Sequence, residues 1–339
     1  MKQNLLDFNL DEMKAFAAAL GEKPYRGKQL FQWIHRGAGS FDEMTDLPAA
    51  FREKLKEEAD ITPARVIRRQ EDPTDGTRKF LFELADGERV EGVFMAYRYG
   101  NSLCVSSQVG CRMGCTFCAS ALDGFVRNLS AGEMLGQLFA AEREAGERIS
   151  HIVIMGMGEP FDNYEQVSRF LNLLHDPQGR NMGWRAMTVS TSGIIPGIVA
   201  FGKDFPQVNL AISLHRTKDE DRRKIMPVDR KYPLEDLLEA AREYTEKTRR
   251  RITFEYALIA GENDGDRDAE DLTRILRGML CHVNLIPLNE VEEIGKRGSS
   301  RVRAQEFADM LESAGVPATV RRRLGSSIDG ACGQLRRRR

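Results

Sequence analysis

The spacing of hydrophobic residues along the chain changes near residue 100. Apolar residues first recur with helical spacing in three segments, 11–20, 25–35 and 47–58. They then alternate with polar residues in two segments, 78–82 and 88–97. These patterns predict a small helical module over residues 1–75 and a β-hairpin extension over residues 76–100. The module either packs on the main domain as a cap or contacts a nucleic-acid backbone through its basic second helix.

From residue 101 onward, apolar β-branched runs alternate with helical patterns. Six strands are predicted, at 103–106, 151–155, 186–190, 208–214, 252–258 and 281–287. Four helices are predicted between them, at 131–144, 164–175, 234–248 and 268–279. This alternation predicts an α/β protein whose parallel sheet curls into a partial (β/α)6 barrel over residues 101–320. Residues 321–339 then form a C-terminal segment. Because chemistry in such barrels lies at the carboxyl ends of the strands, we expect the functional residues there.

The composition indicates a globular protein. Of the 339 residues, 41% are hydrophobic and 30% are charged, which suits one large core plus a smaller module. Six cysteines are too few for a disulfide-held secreted scaffold of this length. No run approaches the roughly 18 apolar residues of a membrane span, and the first residues lack a signal-peptide pattern. We therefore expect a cytoplasmic protein with no membrane partner.

Net charge gives no indication of a nucleic-acid partner, since the formal charge is −1 and the pI about 6.6. The charge is uneven, however. Residues 300–339 contain nine arginines against four acidic residues, and most of the excess lies in Arg321–Arg323 and Arg336–Arg339. These arginines form either a solvated tail or a phosphate-contacting patch close to the site.

Three closely spaced cysteines, Cys111, Cys115 and Cys118, follow the first predicted barrel strand. A cube-shaped iron–sulfur cluster normally takes four thiolates, one for each iron, so three thiolates leave one iron open to another ligand. Structural zinc sites also use paired cysteines, but they usually draw on two Cys/His pairs set well apart. The spacing of three residues and then two resembles the signature of the radical S-adenosylmethionine (SAM) enzymes.

Polar residues follow the later strands at the predicted barrel mouth. The run Gly156-Met157-Gly158-Glu159-Pro160 comes after the second strand, and its carboxylate suits an ammonium group of a ligand. Hydroxyl, imidazole and amide groups follow the third, fourth and sixth strands, at Ser190, Ser213-Leu214-His215 and Asn289.

Two further cysteines are candidates for reactive thiols. Glycines flank Cys332 closely, which predicts a mobile loop and a thiol that moves or reacts. Cys104 precedes the cluster cysteines at the end of a strand, where it is either a second reactive thiol or a small buried hydrophobe. Cys281 lies in an apolar strand and is predicted to be a core residue.

Taken in order along the chain, these motifs resemble one family, the radical-SAM ribosomal RNA adenine C2-methyltransferases. The resemblance runs from about residue 25 to residue 335 and covers six motifs: Cys-x-x-x-Cys-x-x-Cys, Gly-Met-Gly-Glu-Pro, Ser-Thr-Ser-Gly, Ser-Leu-His, Asn-Leu-Ile-Pro-Leu-Asn and Asp-Gly-Ala-Cys-Gly-Gln-Leu. Members methylate carbon 2 of adenine 2503 in 23S rRNA and, in some bacteria, adenine 37 of tRNA. One departure, Ala119-Ser120-Ala121 in place of the commoner Ala-Thr-Gly, leaves the cysteine spacing intact.

The resemblance implies a role for each matching residue. A [4Fe–4S] cluster would be bound by Cys111, Cys115 and Cys118. The SAM site would be lined by Gly158, Glu159, Ser190, Ser213, Leu214, His215 and Asn289. Cys332 would carry the methyl group and Cys104 would form a transient disulfide with it. Glu91 would accept the proton, although by its position on a strand the sequence predicts only a solvent-facing residue.

The family chemistry explains this equipment. Because adenine C2 is not nucleophilic, polar attack on the SAM methyl group should fail. The resemblance implies that one SAM would methylate the Cys332 sulfur, and that a second SAM would be cleaved to a 5′-deoxyadenosyl radical that activates the S-methyl group for addition to C2. Glu91 would then take the C2 proton, and a Cys104–Cys332 disulfide would release the product. The resemblance further implies 23S rRNA and tRNA as partners, a flavodoxin or ferredoxin as electron donor, and a monomer.

Two other functions remain open from the sequence. A related radical-SAM enzyme that methylates carbon 8 of the same adenine, and so confers antibiotic resistance, would share nearly all these motifs. A non-enzymatic iron–sulfur or zinc RNA-binding protein would leave Glu159, Cys104 and Cys332 without roles.

Overall fold

The computed structural model describes residues 2–62 and 64–336. The strands are Gln3–Asn4 (β1), Ala59–Asp60 (β2), Ala64–Glu71 (β3), Arg78–Leu84 (β4), Arg89–Tyr97 (β5), Gly100–Cys104 (β6), Gln108–Gly110 (β7), Phe125–Asn128 (β8), His151–Ile154 (β9), Met187–Thr191 (β10), Asn209–Ser213 (β11), Ile252–Leu258 (β12), Cys281–Pro287 (β13) and Ala318–Val320 (β14). The α-helices are Leu10–Ala19 (α1), Pro24–His35 (α2), Ala49–Glu58 (α3), Ala131–Ala145 (α4), Tyr164–His175 (α5), Ile195–Asp204 (α6), Asp219–Ile225 (α7), Leu234–Thr248 (α8), Asp266–Leu276 (α9) and Arg301–Ser313 (α10).

One sheet of ten strands organises the molecule, in the order β14-β13-β12-β11-β10-β9-β6-β5-β4-β3. Within this sheet, β6 and the strands from β9 to β14 pair in parallel, and helices connect most of them. This arrangement confirms the predicted α/β fold with a partial barrel. All parallel strands point the same way, so the segments that follow them converge at one end of the barrel.

The antiparallel strands β3, β4 and β5 extend this sheet without a break, because β5 pairs with β6. The predicted hairpin corresponds to β4 and β5, but β3 was not predicted. It lies at the sheet edge, and all seven residues after the first are exposed or half-buried, so it lacks the apolar alternation that marks a strand. The strand falls inside the range predicted as a helical module.

Local signals set the helix ends. Ser130 and Glu133 form a reciprocal capping box at the start of α4, and Gly146 ends that helix in the left-handed conformation.

Helices α6 and α7 were not predicted. Pro196 and Gly197 at the start of α6 read as a turn, yet Gly197 is required by packing, because an added Cβ would lie 2.6 Å from the Phe161 side chain.

The N-terminal helices pack on the barrel, as one of the two sequence interpretations expects. Their apolar residues belong to the same continuous core as the barrel strands. Asp7 joins the two parts, since its carboxylate accepts a hydrogen bond from the Gly132 N–H at 2.6 Å and its carbonyl accepts one from Arg169 Nε at 2.6 Å. Gly132 also has no room for a side chain, because an added Cβ would meet Asn4 and Asp7.

The last described residues lie against the β3–β5 meander. The Gly325 N–H donates to Asp75 Oδ2 at 3.0 Å, and the Ser327 N–H donates to Asp72 Oδ2 at 3.1 Å. We call residues 325–336 the C-terminal loop. No helix among residues 2–62 and 64–336 is long and apolar enough to span a bilayer.

Candidate functional site

The predicted site residues meet in a cavity at the carboxyl ends of the barrel strands. Ten of the thirteen line it: Cys111, Cys115, Cys118, Gly158, Glu159, Ser190, Ser213, His215, Asn289 and Cys332. We call this the cluster cavity. The other three, Leu214, Cys104 and Glu91, lie outside its walls.

A small hairpin that the sequence analysis missed holds the cysteine loop. Strands β7 and β8 pair on either side of it, and the Cys111 N–H donates to the Gly124 carbonyl at 3.2 Å. Gly110 has φ +75°, and an added Cβ would lie 1.8 Å from the Gly124 oxygen. The loop therefore closes tightly at a position that only glycine can occupy.

The surroundings of the three thiols suit ligands of an iron–sulfur cluster better than they suit free thiolates. Burial raises the pKa of Cys111 to about 12, and burial likewise raises the pKa values of Cys115 and Cys118. Thiolates at these positions therefore need a cation beside them, which iron supplies. Among the described residues no three His, Cys, Asp or Glu side chains surround a point that would hold one metal ion. In a cube each iron has its own thiolate, so the thiolates need not converge on one point.

Glu159 is buried at the cavity wall and is held by three donors. Its Oε1 accepts from the Phe161 N–H at 3.0 Å and from Thr191 Oγ1 at 2.7 Å, while Oε2 accepts from the Ser192 N–H at 2.7 Å. Burial raises the pKa of this carboxyl despite those bonds. A carboxylate here has lone pairs left for the ammonium group of a ligand, which would also favour its charged form.

The glycines of this motif are also required by packing. An added Cβ on Gly156 would lie 2.7 Å from the Ser106 hydroxyl, and one on Gly158 would lie 2.7 Å from the Gln108 side chain. Gly158 also has φ +107°. Both glycines therefore let the segment after β9 lie directly against residues 105–108.

Ser192 is a site residue that sequence reasoning did not single out. It lines the cluster cavity beside Ser190, and its buried hydroxyl lies near the Glu159 carboxylate, where it counteracts the rise that burial causes in the pKa of Glu159. The serine-rich run after β10 was the available signal. Together with Glu159, this hydroxyl fits the polar amino-acid end of SAM.

His215 is neutral and fixed in orientation. Its Nδ1 accepts a hydrogen bond from the Ala257 N–H at 2.9 Å, so the ring proton is on Nε2. Burial, reinforced by Arg222 and Arg216, lowers the pKa of this imidazole to about 3. Phe117 from the cysteine loop packs edge-on against the ring at 4.8 Å.

Leu214 lies behind the cavity and does not face it. Its side chain is fully buried, and its carbonyl accepts a hydrogen bond from Arg222 Nε at 3.2 Å. The same guanidinium donates to the Ser192 carbonyl at 2.7 Å and to the Ser213 carbonyl at 3.1 Å. Arg222 is completely buried and was missed because it lies in a highly charged run that reads as an exposed helix.

Cys332 faces two cavities. It lines the cluster cavity and also a second cavity, which Cys104 lines as well; we call the second one the thiol cavity. Asn289 Nδ2 donates to the Cys332 carbonyl at 3.1 Å. Burial, and then the neighbouring Cys332, raise the pKa of Cys104 to about 12. Cys281, in contrast, is buried in β13 with the core, as predicted.

Glu91 is buried, which makes the solvent-facing prediction wrong. It is 2% exposed, and the Lys79 ammonium lies 3.1 Å from its Oε2. The same oxygen accepts the backbone N–H of Arg336 at 2.9 Å. The apolar neighbours of Glu91 on its own strand gave no indication of these contacts. One partner, Lys79, lies on the adjacent strand, and the other, Arg336, lies in the C-terminal loop.

Comparisons with known proteins agree with this geometry. The model of the ribosomal RNA large subunit methyltransferase N-terminal domain matches residues 3–61, and that of the radical SAM superfamily matches residues 105–272. Proteins named probable dual-specificity RNA methyltransferase RlmN are similar over nearly the whole chain. The one from Alkaliphilus oremlandii is 49% identical over 99% of this chain and 98% of its own length. The one from Caldanaerobacter subterraneus is 51% identical, again over 99% and 98%.

The structural comparison extends the likeness to the fold. A crystal structure of a radical SAM methyltransferase from Sphaerobacter thermophilus matches with a TM-score of 0.95 and 46% identity, over 98% of this chain and 99% of that one.

Proposed function

Since this chain belongs to the family of the dual-specificity RNA methyltransferases RlmN, we propose that it methylates carbon 2 of adenine 2503 in 23S rRNA and of adenine 37 in tRNA. The observation that carries the proposal is the position of Cys332. One thiol borders both the three cluster cysteines and Cys104. A methyl carrier needs that position, because it must receive the group at one cavity and meet its partner thiol at the other.

Cys111, Cys115 and Cys118 would hold a [4Fe–4S] cluster, and two molecules of SAM would be used in each turnover. When bound, these groups supply the methyl group and the one-electron chemistry that carbon 2 requires. Glu159 and the Ser192 hydroxyl would bind the amino-acid end of SAM. Ser190, Ser213, His215 and Asn289 would complete the polar wall, Gly158 lines the same cavity, and Leu214 lies behind it.

Cys332 would carry the methyl group, and Cys104 would release the product by forming a disulfide with it. Glu91 would accept the proton from carbon 2. Because Glu91 lines neither cavity while the C-terminal loop covers it, the loop must shift for the carboxylate to reach an adenine.

The mouth of the thiol cavity suits RNA. Arg301, Arg322 and Arg323 line it with their side chains largely exposed, which favours contact with phosphates. Tyr97 also lines it and stacks on Tyr99, with ring centroids 4.9 Å apart. Tyr99 is 68% exposed, so the exposed part of its ring offers a stacking surface for an unpaired base. The remaining basic residues, Arg337–Arg339, lie outside the described residues.

Four further expectations from the sequence are part of the proposal. They are a flavodoxin or ferredoxin as electron donor, a monomeric state, a cytoplasmic location, and a division of the chain into structural units at residues 75, 100 and 320.

The test is nucleoside mass spectrometry. Purified protein, reconstituted anaerobically with iron and sulfide, is incubated with SAM, dithionite and either a 23S rRNA fragment or tRNA. We expect 2-methyladenosine and 5′-deoxyadenosine. A product methylated at carbon 8 would replace the C2 assignment, and the absence of 5′-deoxyadenosine would remove the radical mechanism altogether.

A further inference from the structure

We infer that Lys79 is a positioning residue for Glu91: it fixes the orientation of the buried carboxylate, and it ties that carboxylate to the loop that carries Cys332. The inference rests on the proposed function, because it assigns the environment of the group that would accept the C2 proton.

Strand pairing places the two residues on one face of the sheet. Lys79 of β4 is directly opposite Val93 of β5, and Val93 is directly opposite Cys104 of β6. Glu91 is two residues before Val93 and therefore points to the same side. Lys79, Glu91 and Cys104 thus share a face, and the ammonium reaches the carboxylate across the diagonal at 3.1 Å.

Both members of the pair also bind the backbone of the C-terminal loop. Lys79 Nζ donates to the Asp329 carbonyl at 3.0 Å, and Glu91 accepts the Arg336 N–H at 2.9 Å. The two attachment points lie on either side of Cys332 along the chain. The ion pair therefore holds the ends of the short loop on which the methyl-carrying thiol sits.

Burial strengthens this contact. Lys79 and Glu91 are each 2% exposed, and an ion pair removed from water is only weakly screened. Near the other end of the loop, the Arg336 guanidinium pairs with Glu293. Without Lys79, the Glu91 carboxylate would lose the contact that orients it beside the loop, and a base that is displaced from the proton it must accept acts slowly.

The proton transfer that depends on this pair is simple to balance. The C2–H bond of the RNA adduct breaks, its proton moves to a carboxylate oxygen of Glu91, and its electron pair stays on the adenine. Lys79 exchanges no proton and remains an ammonium throughout.

The experiment compares Lys79→Met with Lys79→Arg and Glu91→Gln in full-length reconstituted enzyme. We expect Lys79→Met to methylate Cys332 and to form 5′-deoxyadenosine, yet to accumulate the same protein–RNA adduct as Glu91→Gln. Resolution of that adduct should slow by about a hundredfold, the usual contribution of a general base. Lys79→Arg should restore turnover, because it keeps the cation. Lys203→Met, which removes an exposed lysine of α6, is the control and should behave like the unaltered enzyme.

The double variant Lys79→Met/Glu91→Gln keeps the test decisive if Lys79→Met is unstable. Replacing both members of a buried ion pair with neutral side chains destabilises a protein less than removing one member, so the double variant should unfold at a higher denaturant concentration than Lys79→Met and resolve the adduct no more slowly than Glu91→Gln. Normal adduct resolution in Lys79→Met would overturn the inference, as would a parallel loss of Cys332 methylation, which indicates a general structural defect. If the unaltered enzyme makes no methyladenosine, the proposed function fails instead.

Discussion

Two buried ion pairs flank the site, and they differ in what they are attached to. Arg222 and Asp229 are fully buried with Nη1 and Oδ1 2.9 Å apart, and the rest of the guanidinium binds carbonyls that follow β10 and β11. Lys79 and Glu91 are nearly as buried, but both also bond to the backbone of the C-terminal loop. The first pair joins segments of the barrel to one another. The second joins the sheet to a short segment near the end of the chain.

The difference indicates which parts of the site are fixed. Arg222 connects the ends of neighbouring strands, so the wall proposed to bind SAM is set as the barrel folds. The loop with Cys332 is held by a few polar contacts and by Ile328 and Leu335, which are its larger buried apolar side chains. A thiol that reacts in two cavities needs a loop that is held weakly enough to move between them.

Four substitutions test this difference between the two ion pairs, in order of their expected effect on the free energy of unfolding.

Arg222→Leu should have the largest effect. It leaves Asp229 buried without its main cation and removes donors from three carbonyls, so the free energy of unfolding should fall by about 4 kcal/mol. SAM binding should be lost with it. Urea unfolding and calorimetric titration measure both. The control, Arg223→Leu, removes a half-exposed arginine 3.5 Å from Asp229 and should cost less than about 1 kcal/mol. Equal losses in the two variants would contradict the contrast.

Cys104→Ala comes second, with a cost of about 1 kcal/mol for a small buried side chain. Its main effect is chemical. Without a partner thiol for Cys332, the protein–RNA adduct should persist and appear as a slow band on a denaturing gel. Cys281→Ala removes a similarly buried cysteine from the core and should show no adduct. Clean turnover by Cys104→Ala would rule out the disulfide step.

Asp72→Ala should loosen the C-terminal loop with little effect on the barrel. The Ser327 backbone bond lowers the pKa of Asp72 to about 2, so this contact is present near neutral pH and is lost only as the pH falls toward that value. Amide hydrogen exchange around residues 325–327 should become about tenfold faster, while exchange in β9 to β12 stays unchanged. Faster exchange in those strands would show that loop and barrel open together.

Cys332→Ala should be the mildest change for folding, within about 0.5 kcal/mol, because the side chain is only partly buried. Cluster content and SAM cleavage should survive, and methyl transfer to RNA should stop. Mass spectrometry of the RNA and of 5′-deoxyadenosine provides the readout. Any RNA methylation by this variant would exclude Cys332 as the carrier.

The sequence predicted the barrel and most of its mouth, because buried parallel strands are apolar runs and the site residues directly follow them. It failed where distant segments decide the environment. The local sequence predicts that Glu91 is an exposed strand residue, because its partners Lys79 and Arg336 come from other parts of the chain. Arg222 lies in a highly charged segment that suggests exposure to solvent, because no neighbouring residue indicates that its guanidinium donates to three buried carbonyls. The strand β3 escaped notice because an edge strand with polar faces has no periodic signal.

The unbroken sheet has a consequence for how this enzyme tolerates change. Lys79, Val93 and Cys104 form one row across β4, β5 and β6, and Glu91 precedes Val93 by two residues, so the spacing between Glu91, the proposed base, and Cys104 is set by backbone pairing. A single residue inserted in the tight turn at Arg98 and Tyr99 would shift the β5–β6 register by one position and send Cys104 to the opposite face. Surface loops generally tolerate added residues, but that turn should keep its length.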